Sequence, residues 1–174
     1  MTSIRPATPD DARGITVIHV EAWQAAYRGI VPDDYLDSLS IDARETVWRQ
    51  ILLTGDSSTW VAMESETIVG WISAAGSRDS DAGTSTGEVW AIYVAPARWG
   101  TGVGRSLCET AESYLRQQGF SEVTLWVLRD NERAVRFYRS NGFVVDSGHT
   151  KTLERGGKTL FEARFRKPLI AKSN

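Results

Sequence analysis

A strand-like apolar run that leads through alternating glycines into a helix is the feature that most constrains the fold of this chain. After its first residue the run 88–94 is apolar at both its odd and its even positions, so we expect one set on each face of a strand. Alternating glycines follow over 100–104, and apolar residues then recur at helical spacing until Gly119. A strand with two apolar faces lies inside a sheet that is covered on both sides. The sequence therefore predicts a layered fold with this strand at its centre.

Patterns on either side of this unit complete the predicted architecture. Strand patterns occur near Ile4 and over 60–63, 68–73, 123–128, 143–152 and 160–165, helix patterns over 9–26, 42–53, 100–119 and 131–142, and a polar loop over 77–87. The alternation of strands and helices in the second half predicts a right-handed crossover attached to an antiparallel hairpin region. We therefore predict one α+β domain over residues 1–174, with three layers and a mixed central sheet of about six to seven strands.

Composition excludes several classes of protein. The chain has one cysteine, Cys108, and two histidines far apart in sequence, so we expect no intramolecular disulfide and no metal site. No apolar run approaches the roughly 20 residues that cross a bilayer, and the first residues lack a signal-peptide layout, so we expect a cytoplasmic protein without a membrane partner. The net charge is −2, acidic over the first two thirds and basic over the last. No global basic patch results, so we predict no nucleic-acid partner.

The glycine-rich turn is a candidate anion site. Main-chain N–H groups at a helix start, with no Cβ in the way, suit a pyrophosphate, although glycines there can also serve tight packing alone. A nucleoside triphosphate loop requires Gly-Lys-Ser/Thr, whereas Arg105 follows Gly104 here. A dinucleotide fold expects an acid at a strand's end about 20 residues onward, and Glu122 precedes its strand instead. Both of these phosphate-binding folds are therefore disfavoured.

Two motifs, in order and on the predicted elements, resemble those of the GNAT superfamily of acyl-CoA-dependent N-acyltransferases. Residues 99–104 are similar to the family's Arg/Gln-x-x-Gly-x-Gly/Ala loop, and residues 131–138 followed by 141–143 are similar to its Asn-x-x-Ala-x-x-Phe-Tyr and Asn-Gly-Phe motifs. The resemblance implies the three-layer α/β/α acyl-CoA N-acyltransferase fold. The chain departs from the pattern at Trp99, where the family usually has Arg or Gln. This indole can pack against the cofactor or into the protein, and we expect it to pack into the protein.

The resemblance also implies acetyl-CoA as the cofactor. In this family the loop amides hold the pyrophosphate, and the pantetheine arm runs beside the main chain of the fourth strand like an added strand. The implied cofactor-binding residues are Ile92, Tyr93, Val94, Trp99, Gly100, Thr101, Gly102, Val103, Gly104, Arg105, Asn131, Ala134 and Tyr138.

Two residues of these motifs are the implied catalytic pair. Glu88 stands where some family members carry the base that deprotonates the amine, although a solvated strand end, with a water chain as the base, also fits. Tyr138 stands where the family has the acid that protonates the leaving thiolate, although its helical position also suits the core. Asn131 either caps its helix or binds the pantetheine arm. Cys108 lies inside a predicted helix with no histidine nearby, so we expect core packing and direct attack by the amine in a ternary complex.

The acceptor is the least constrained part of the prediction. Residues 23–32 resemble a Trp-x-x-x-Tyr-x-Gly-Ile-x-Pro run of bacterial family members, some of which act on polyamines. The implied substrate residues are Trp23, Tyr27, Asp33 and Tyr35, which offer charge and cation–π contacts to a small, polyamine-like amine. A protein lysine or N-terminal acetyltransferase and a non-catalytic acyl-CoA-binding sensor are the alternatives. Family members often dimerise, so a homodimer is an expectation of the resemblance alone.

Overall fold

The computed structural model describes residues 1–169; the end of the predicted domain, residues 170–174, lies outside the described residues. The strands are β1 (Thr2–Pro6), β2 (Ser58–Glu64), β3 (Thr67–Gly76), β4 (Thr86–Val94), β5 (Glu122–Leu128), β6 (Val144–Arg155) and β7 (Lys158–Pro168). They form one seven-stranded sheet in the order β1-β2-β3-β4-β5-β7-β6. Neighbours are antiparallel except β4 and β5, which run parallel. The predicted mixed sheet is therefore confirmed.

Helices cover both faces of this sheet. They are α1 (Ala12–Ala26), α2 (Asp33–Asp37), α3 (Ile41–Thr54), α4 (Val103–Gln117) and α5 (Glu132–Ser140). The buried residues of α1 and α3 pack on one face around Trp71, and those of α4 pack on the other around Phe143 and Phe165. The three-layer arrangement agrees with the predicted acyl-CoA N-acyltransferase fold. The short α2 was not predicted, because its five residues are too few to show a helical period.

A bulge at Trp90 changes which residues of β4 share a face. The pairing of β4 with β3 skips Trp90, so this residue has no partner across the ladder. Consequently Val89 packs into the same core cluster as Ile92, while Ala91 and Tyr93 pack into the cluster on the other face. The strict odd–even alternation predicted from the sequence is therefore wrong at Val89, because one extra residue reverses the pattern.

Strands β4 and β5 separate after a short common stretch. They pair only between Thr86–Glu88 and Glu122–Thr124. Beyond that stretch β4 continues beside β3 and β5 continues beside β7. The parallel pair thus opens into a wedge within the sheet, at the end where β4 leads into the glycine-rich turn.

Candidate active site

The wedge between β4 and β5 is the mouth of a cleft of about 1000 Å³. Its walls come from the second half of β4, the glycine-rich turn, α5, the ends of β5 to β7 and the end of α1. Elements from both faces of the sheet therefore meet in one cavity, so that two molecules can approach each other from opposite sides of the sheet.

The β4 main chain along the cleft has free hydrogen-bonding groups. The N–H of Ala95 donates to the carbonyl oxygen of Val69 at 2.9 Å, which makes Val94 a non-hydrogen-bonded position of the antiparallel ladder. By the alternation of that ladder, Val94 and Ile92 point their main-chain groups toward the cleft, while those of Tyr93 point toward β3. Of the three residues predicted to accept the pantetheine arm, the two at alternate positions thus have their main chain on the cleft side.

The glycine-rich turn presents free N–H groups to the cleft. Gly100 and Gly102 have φ values of 76° and 96°, which favour glycine, and nothing lies within 4 Å of a Cβ built at either. The N–H of Ser106 donates to the carbonyl oxygen of Gly102, so the N–H groups of residues 103–105 precede the first bond of α4. Three free donors at a helix start, with the helix dipole behind them, form an anion site.

Gly104 brings the two cleft helices together for a different reason. A Cβ at this position would lie 3.1 Å from the ring of Phe137 and 3.7 Å from Val94. The absence of a side chain therefore lets α4 approach α5 closely, which holds Tyr138 beside the turn.

Trp99 packs where the family usually has Arg or Gln. Its indole Nε1 donates to the main-chain oxygen of Val94 at 2.8 Å, and the guanidinium of Arg133 lies 3.0 Å above the ring centroid. The ring also lines the cleft. Of the other predicted turn residues, Thr101 turns its hydroxyl to the carbonyl of Arg98, and Val103 is buried in the core, so neither side chain lines the cleft.

Tyr138 directs its side chain into the cleft from α5. The helix begins at Asn131, whose side-chain oxygen accepts from the N–H of Ala134 at 3.1 Å, so Asn131 caps the helix. The Tyr138 ring contacts Phe137 and Phe143 edge-on, and burial raises the pKa of its hydroxyl, which therefore stays protonated. Within residues 1–169 this hydroxyl has no hydrogen-bond partner. A neutral donor thus faces the cavity.

Glu88 lies at the opposite end of the cleft and is held by Arg78. Only 1% of its surface is exposed, so it is not a solvated strand end. Its carboxylate accepts hydrogen bonds from the main-chain N–H, Nε and Nη2 of Arg78, and the guanidinium stacks over Trp90 at 4.3 Å. These bonds hold both oxygens of the carboxylate against Arg78.

The residues predicted to bind the acceptor separate into two groups. Trp23 and Tyr27, in edge-to-face contact at the end of α1, line the cleft. Asp33 is exposed and pairs with Arg28 at 3.5 Å, and Tyr35 packs into the small apolar cluster beside α2. The structure therefore does not bring Asp33 or Tyr35 to the cleft.

Charged residues from β6, β7 and the loop after β3 also line the cleft, and the sequence alone did not predict them. They are Arg78, Lys151, Arg155 and Glu162. Burial raises the pKa of the Glu162 carboxyl group. The alternation of side chains along β6 and β7 was the available signal, but it indicates a shared face only once the pairing of the two strands is known.

The part of the chain that the structure describes lacks suitable residues for a cysteine nucleophile, a metal site or a membrane-spanning helix. Cys108 is buried in α4 outside the cleft lining, and burial raises the pKa of its thiol to about 12, so it is a poor nucleophile. Across residues 1–169 no three His, Cys, Asp or Glu side chains cluster as metal ligands. No helix in the same range has the length and apolar character needed to span a membrane.

The chain is similar in sequence and in structure to known N-acetyltransferases. The profile of the GNAT acetyltransferase family matches residues 20–143. YuaI, an uncharacterised N-acetyltransferase of Bacillus subtilis, is 32% identical over 140 residues, 80% of this chain and 79% of that protein. The spermidine N(1)-acetyltransferase of Thermoplasma acidophilum is 24% identical over 148 residues, 82% and 88% of the two chains. The crystal structure of PaiA N-acetyltransferase from the same organism, in complex with coenzyme A, matches with a TM-score of 0.79 at 21% identity, covering 97% of this chain and 99% of the other.

Proposed function

The chain belongs to the GNAT acetyltransferase family and is an acyl-CoA-dependent N-acetyltransferase, and from this premise we propose that it acetylates the primary amine of a small molecule by direct attack in a ternary complex. The observation that carries the proposal is the wedge between β4 and β5, which joins a turn with free N–H groups to a cavity that holds a neutral tyrosine. A helix-start anion site at one end and an apolar strand edge beside it suit a long ligand with a pyrophosphate.

Acetyl-CoA, as the acetyl donor, supplies a thioester that an amine can attack. The N–H groups of residues 103–105 bind its pyrophosphate, and the cleft-facing main chain of Ile92 and Val94 binds the pantetheine arm as a strand would. The carbonyl of Val94 already accepts from Trp99, so Ile92 offers the two free groups and Val94 only its N–H. Asn131 acts on this site through the helix it caps.

Tyr138 serves the leaving group. The released thiolate has a lower proton affinity than a tyrosinate, since free thiol and phenol pKa values are about 8.5 and 10, and burial of Tyr138 widens that gap. Complete proton transfer from Tyr138 is therefore uphill, whereas a hydrogen bond from its hydroxyl stabilises the charge that develops on sulfur. We assign Tyr138 this donor role.

Glu88 has a positioning role in this proposal instead of the base role implied by the resemblance. Its carboxylate fixes Arg78 over Trp90, the bulge residue of β4. Both oxygens of its buried carboxylate contact Arg78, and this arrangement supports the positioning role.

The acceptor is a small molecule rather than a polycation. Trp23 and Tyr27 give the cleft aromatic faces that suit an ammonium. Asp33 and Tyr35 were the other reasons to expect a polyamine, and both lie outside the cleft lining. The similarity to a spermidine acetyltransferase does not by itself assign spermidine as the substrate of this chain.

The test is thiol release from acetyl-CoA over a panel of amino acids, amines, polyamines, aminoglycosides and lysine peptides, with calorimetry of coenzyme A binding alongside. Release with small amines, and acetylated amine recovered in equal amount, is the expected result. Tight binding with no release over the whole panel would favour a non-catalytic sensor, and preferential release with peptides would favour a protein acetyltransferase.

A further inference from the structure

Besides Glu88, the acceptor side of the cleft holds four charged side chains, and two of them already have partners. Arg78 pairs with Glu88, and Lys151 pairs with Asp79 at 2.6 Å. Glu162 and Arg155 remain. Asp79 also binds Arg164 at 3.2 Å, so it is shared between two cations. The two groups without an ion pair remain the ones that a charged ligand can pair with.

Glu162 is a carboxylate without a partner. It lies on β7 opposite Lys151 of β6 and Leu128 of β5, and its side chain lines the cleft. Within residues 1–169 it forms no hydrogen bond and no ion pair, because the ammonium of Lys151 is bound to Asp79. A half-buried carboxylate in this position gains most from a cation that arrives with the substrate.

Arg155 is the corresponding cation. It ends β6 at the tip of the hairpin with β7, where Lys158 donates to the main-chain oxygen of Ile30 and so joins the hairpin to the segment after α1. Its guanidinium lines the cleft, donates one hydrogen bond to the carbonyl of Glu154, and pairs with no carboxylate of the described residues. Four of its five N–H donors are thus free for an anion.

Apolar side chains separate the two charges. Leu153 and Leu160 pair directly across β6 and β7 and both line the cleft, between the positions of Arg155 and Glu162. A ligand that reaches both charges therefore crosses a short hydrocarbon surface.

We propose that the acceptor is a zwitterion, an amino acid or a related amine with an anionic group, whose ammonium binds Glu162 and whose anion binds Arg155. The inference rests on the proposed function, since it requires amine acetylation in this cleft. It adds the substrate class and names the carboxylate that takes the amine's proton. A second ammonium in place of the anion would face the unpaired Arg155, so a diamine is a poorer acceptor than an amino acid.

The proton balance of this step is simple. The ammonium transfers one proton to the Glu162 carboxylate, and the nitrogen lone pair then forms the C–N bond to the thioester carbonyl. The C–S bond breaks with its electron pair on sulfur, which takes the second proton of the nitrogen, so that coenzyme A leaves as a thiol and the product is a neutral amide. Tyr138 donates a hydrogen bond to the sulfur while its negative charge develops. Burial and the charge of Glu88 raise the pKa of Glu162, and the cations Lys151, Arg155 and Arg78 oppose that rise. The net direction is upward, which supports its part in this step.

The first experiment compares matched acceptors. Each common amino acid is assayed beside the amine that remains when its carboxylate is replaced by hydrogen. We expect at least one amino acid to exceed its amine in kcat/KM by about tenfold or more. Arg155→Gln should remove that preference by raising KM for the amino acid, with KM for acetyl-CoA unchanged. Arg49→Gln, which removes the same charge from an exposed site on α3, should preserve the preference.

The second experiment tests Glu162 by the pH profile. For Glu162→Gln we expect kcat/KM to fall about 10²-fold at neutral pH and then to rise in proportion to hydroxide, because the amine loses its proton to solvent instead. Glu162→Asp should restore part of the rate. Glu154→Gln, on the same hairpin but outside the cleft lining, is the matched control and should keep the wild-type profile.

The outcomes distinguish a failure of this inference from a failure of the proposed acetyl transfer to a small amine. Equal kcat/KM for amino acids and their matched amines, or a preference for diamines, would overturn the zwitterion while leaving acetyl transfer in place. A wild-type profile in Glu162→Gln would overturn the role of Glu162. Failure to acetylate any amine would contradict the proposed function and this inference with it.

Discussion

The indole nitrogen of Trp99 donates a 2.8 Å hydrogen bond to the main-chain oxygen of Val94. This bond joins the first residue of the glycine-rich turn to the last residue of β4. It links the turn to the end of the strand just before the chain enters the turn. The bond therefore holds the free N–H groups of the turn in a fixed position relative to the edge of β4. The residue that departs from the family pattern thus contributes to the shape of the site.

Trp99→Phe tests this relationship. The substitution keeps an aromatic ring under Arg133 but leaves the Val94 carbonyl without its donor, so we expect a loss of about 1 kcal/mol in the free energy of unfolding and coenzyme A binding weakened about threefold or more. Urea unfolding and calorimetry measure the two effects. Trp48→Phe, which alters the packing against Trp71 away from the cleft, should reduce stability without changing the affinity. Equal affinity in the wild type and Trp99→Phe would contradict the role of the hydrogen bond.

Tyr138→Phe tests the donor to the leaving thiolate. Removal of one hydroxyl should lower kcat by roughly 10²-fold while coenzyme A binding stays nearly unchanged, since the donor acts on a charge that forms only during transfer. Tyr114→Phe is the control, because Tyr114 packs edge-on against Trp60 in the core. A wild-type kcat in Tyr138→Phe would show that Tyr138 does not assist the leaving group.

Cys108→Ala tests whether the buried thiol takes part in chemistry. Because burial raises its pKa to about 12, almost no thiolate exists near neutral pH, and we expect full turnover after correction for any loss of folded protein. In the native wild type the thiol should react with a disulfide reagent only as fast as the protein opens. Loss of activity in a folded Cys108→Ala variant would reopen the acyl-enzyme route.

Asp81→Asn tests the anchoring of the loop after β3 by its pH dependence. A hydrogen bond from Arg164 lowers the pKa of Asp81 to about 2, so the carboxylate stabilises the fold fully above its unfolded pKa near ~3.9 and loses this contribution as pH falls toward 2. The difference in unfolding free energy between wild type and Asp81→Asn should therefore shrink as the pH falls below 4. Asp56→Asn, at an exposed site without an ion pair in the described chain, should show no such change. If this difference in unfolding free energy does not shrink in acid, the stabilising contact between Asp81 and Arg164 is contradicted.

Local motifs made much of the fold and half of the site predictable. The glycine-rich turn and the helix that carries Tyr138 were predictable from short contiguous stretches of sequence. A positive φ and a helix cap depend only on neighbouring residues. The bulge at Trp90 was not predictable, because it is a property of how β4 pairs with β3.

Residues that meet through strand order also escaped prediction. Glu162 and Arg155 reach the cleft because β7 inserts between β5 and β6, which single-strand patterns do not reveal. Asp33 and Tyr35 were expected in the cleft as implied substrate residues, because they offer charge and cation–π contacts to an amine. The turn of α2 instead sends Asp33 to Arg28 at the surface and Tyr35 into an apolar cluster.

Initial-velocity kinetics with acetyl-CoA and the best amine of the panel test the central claim most directly. Direct attack in the cleft predicts intersecting double-reciprocal lines, and protein mixed with acetyl-CoA alone should keep its unmodified mass. Parallel lines, together with protein that gains one acetyl group before the amine is added, would contradict direct transfer between two substrates held together in this cleft.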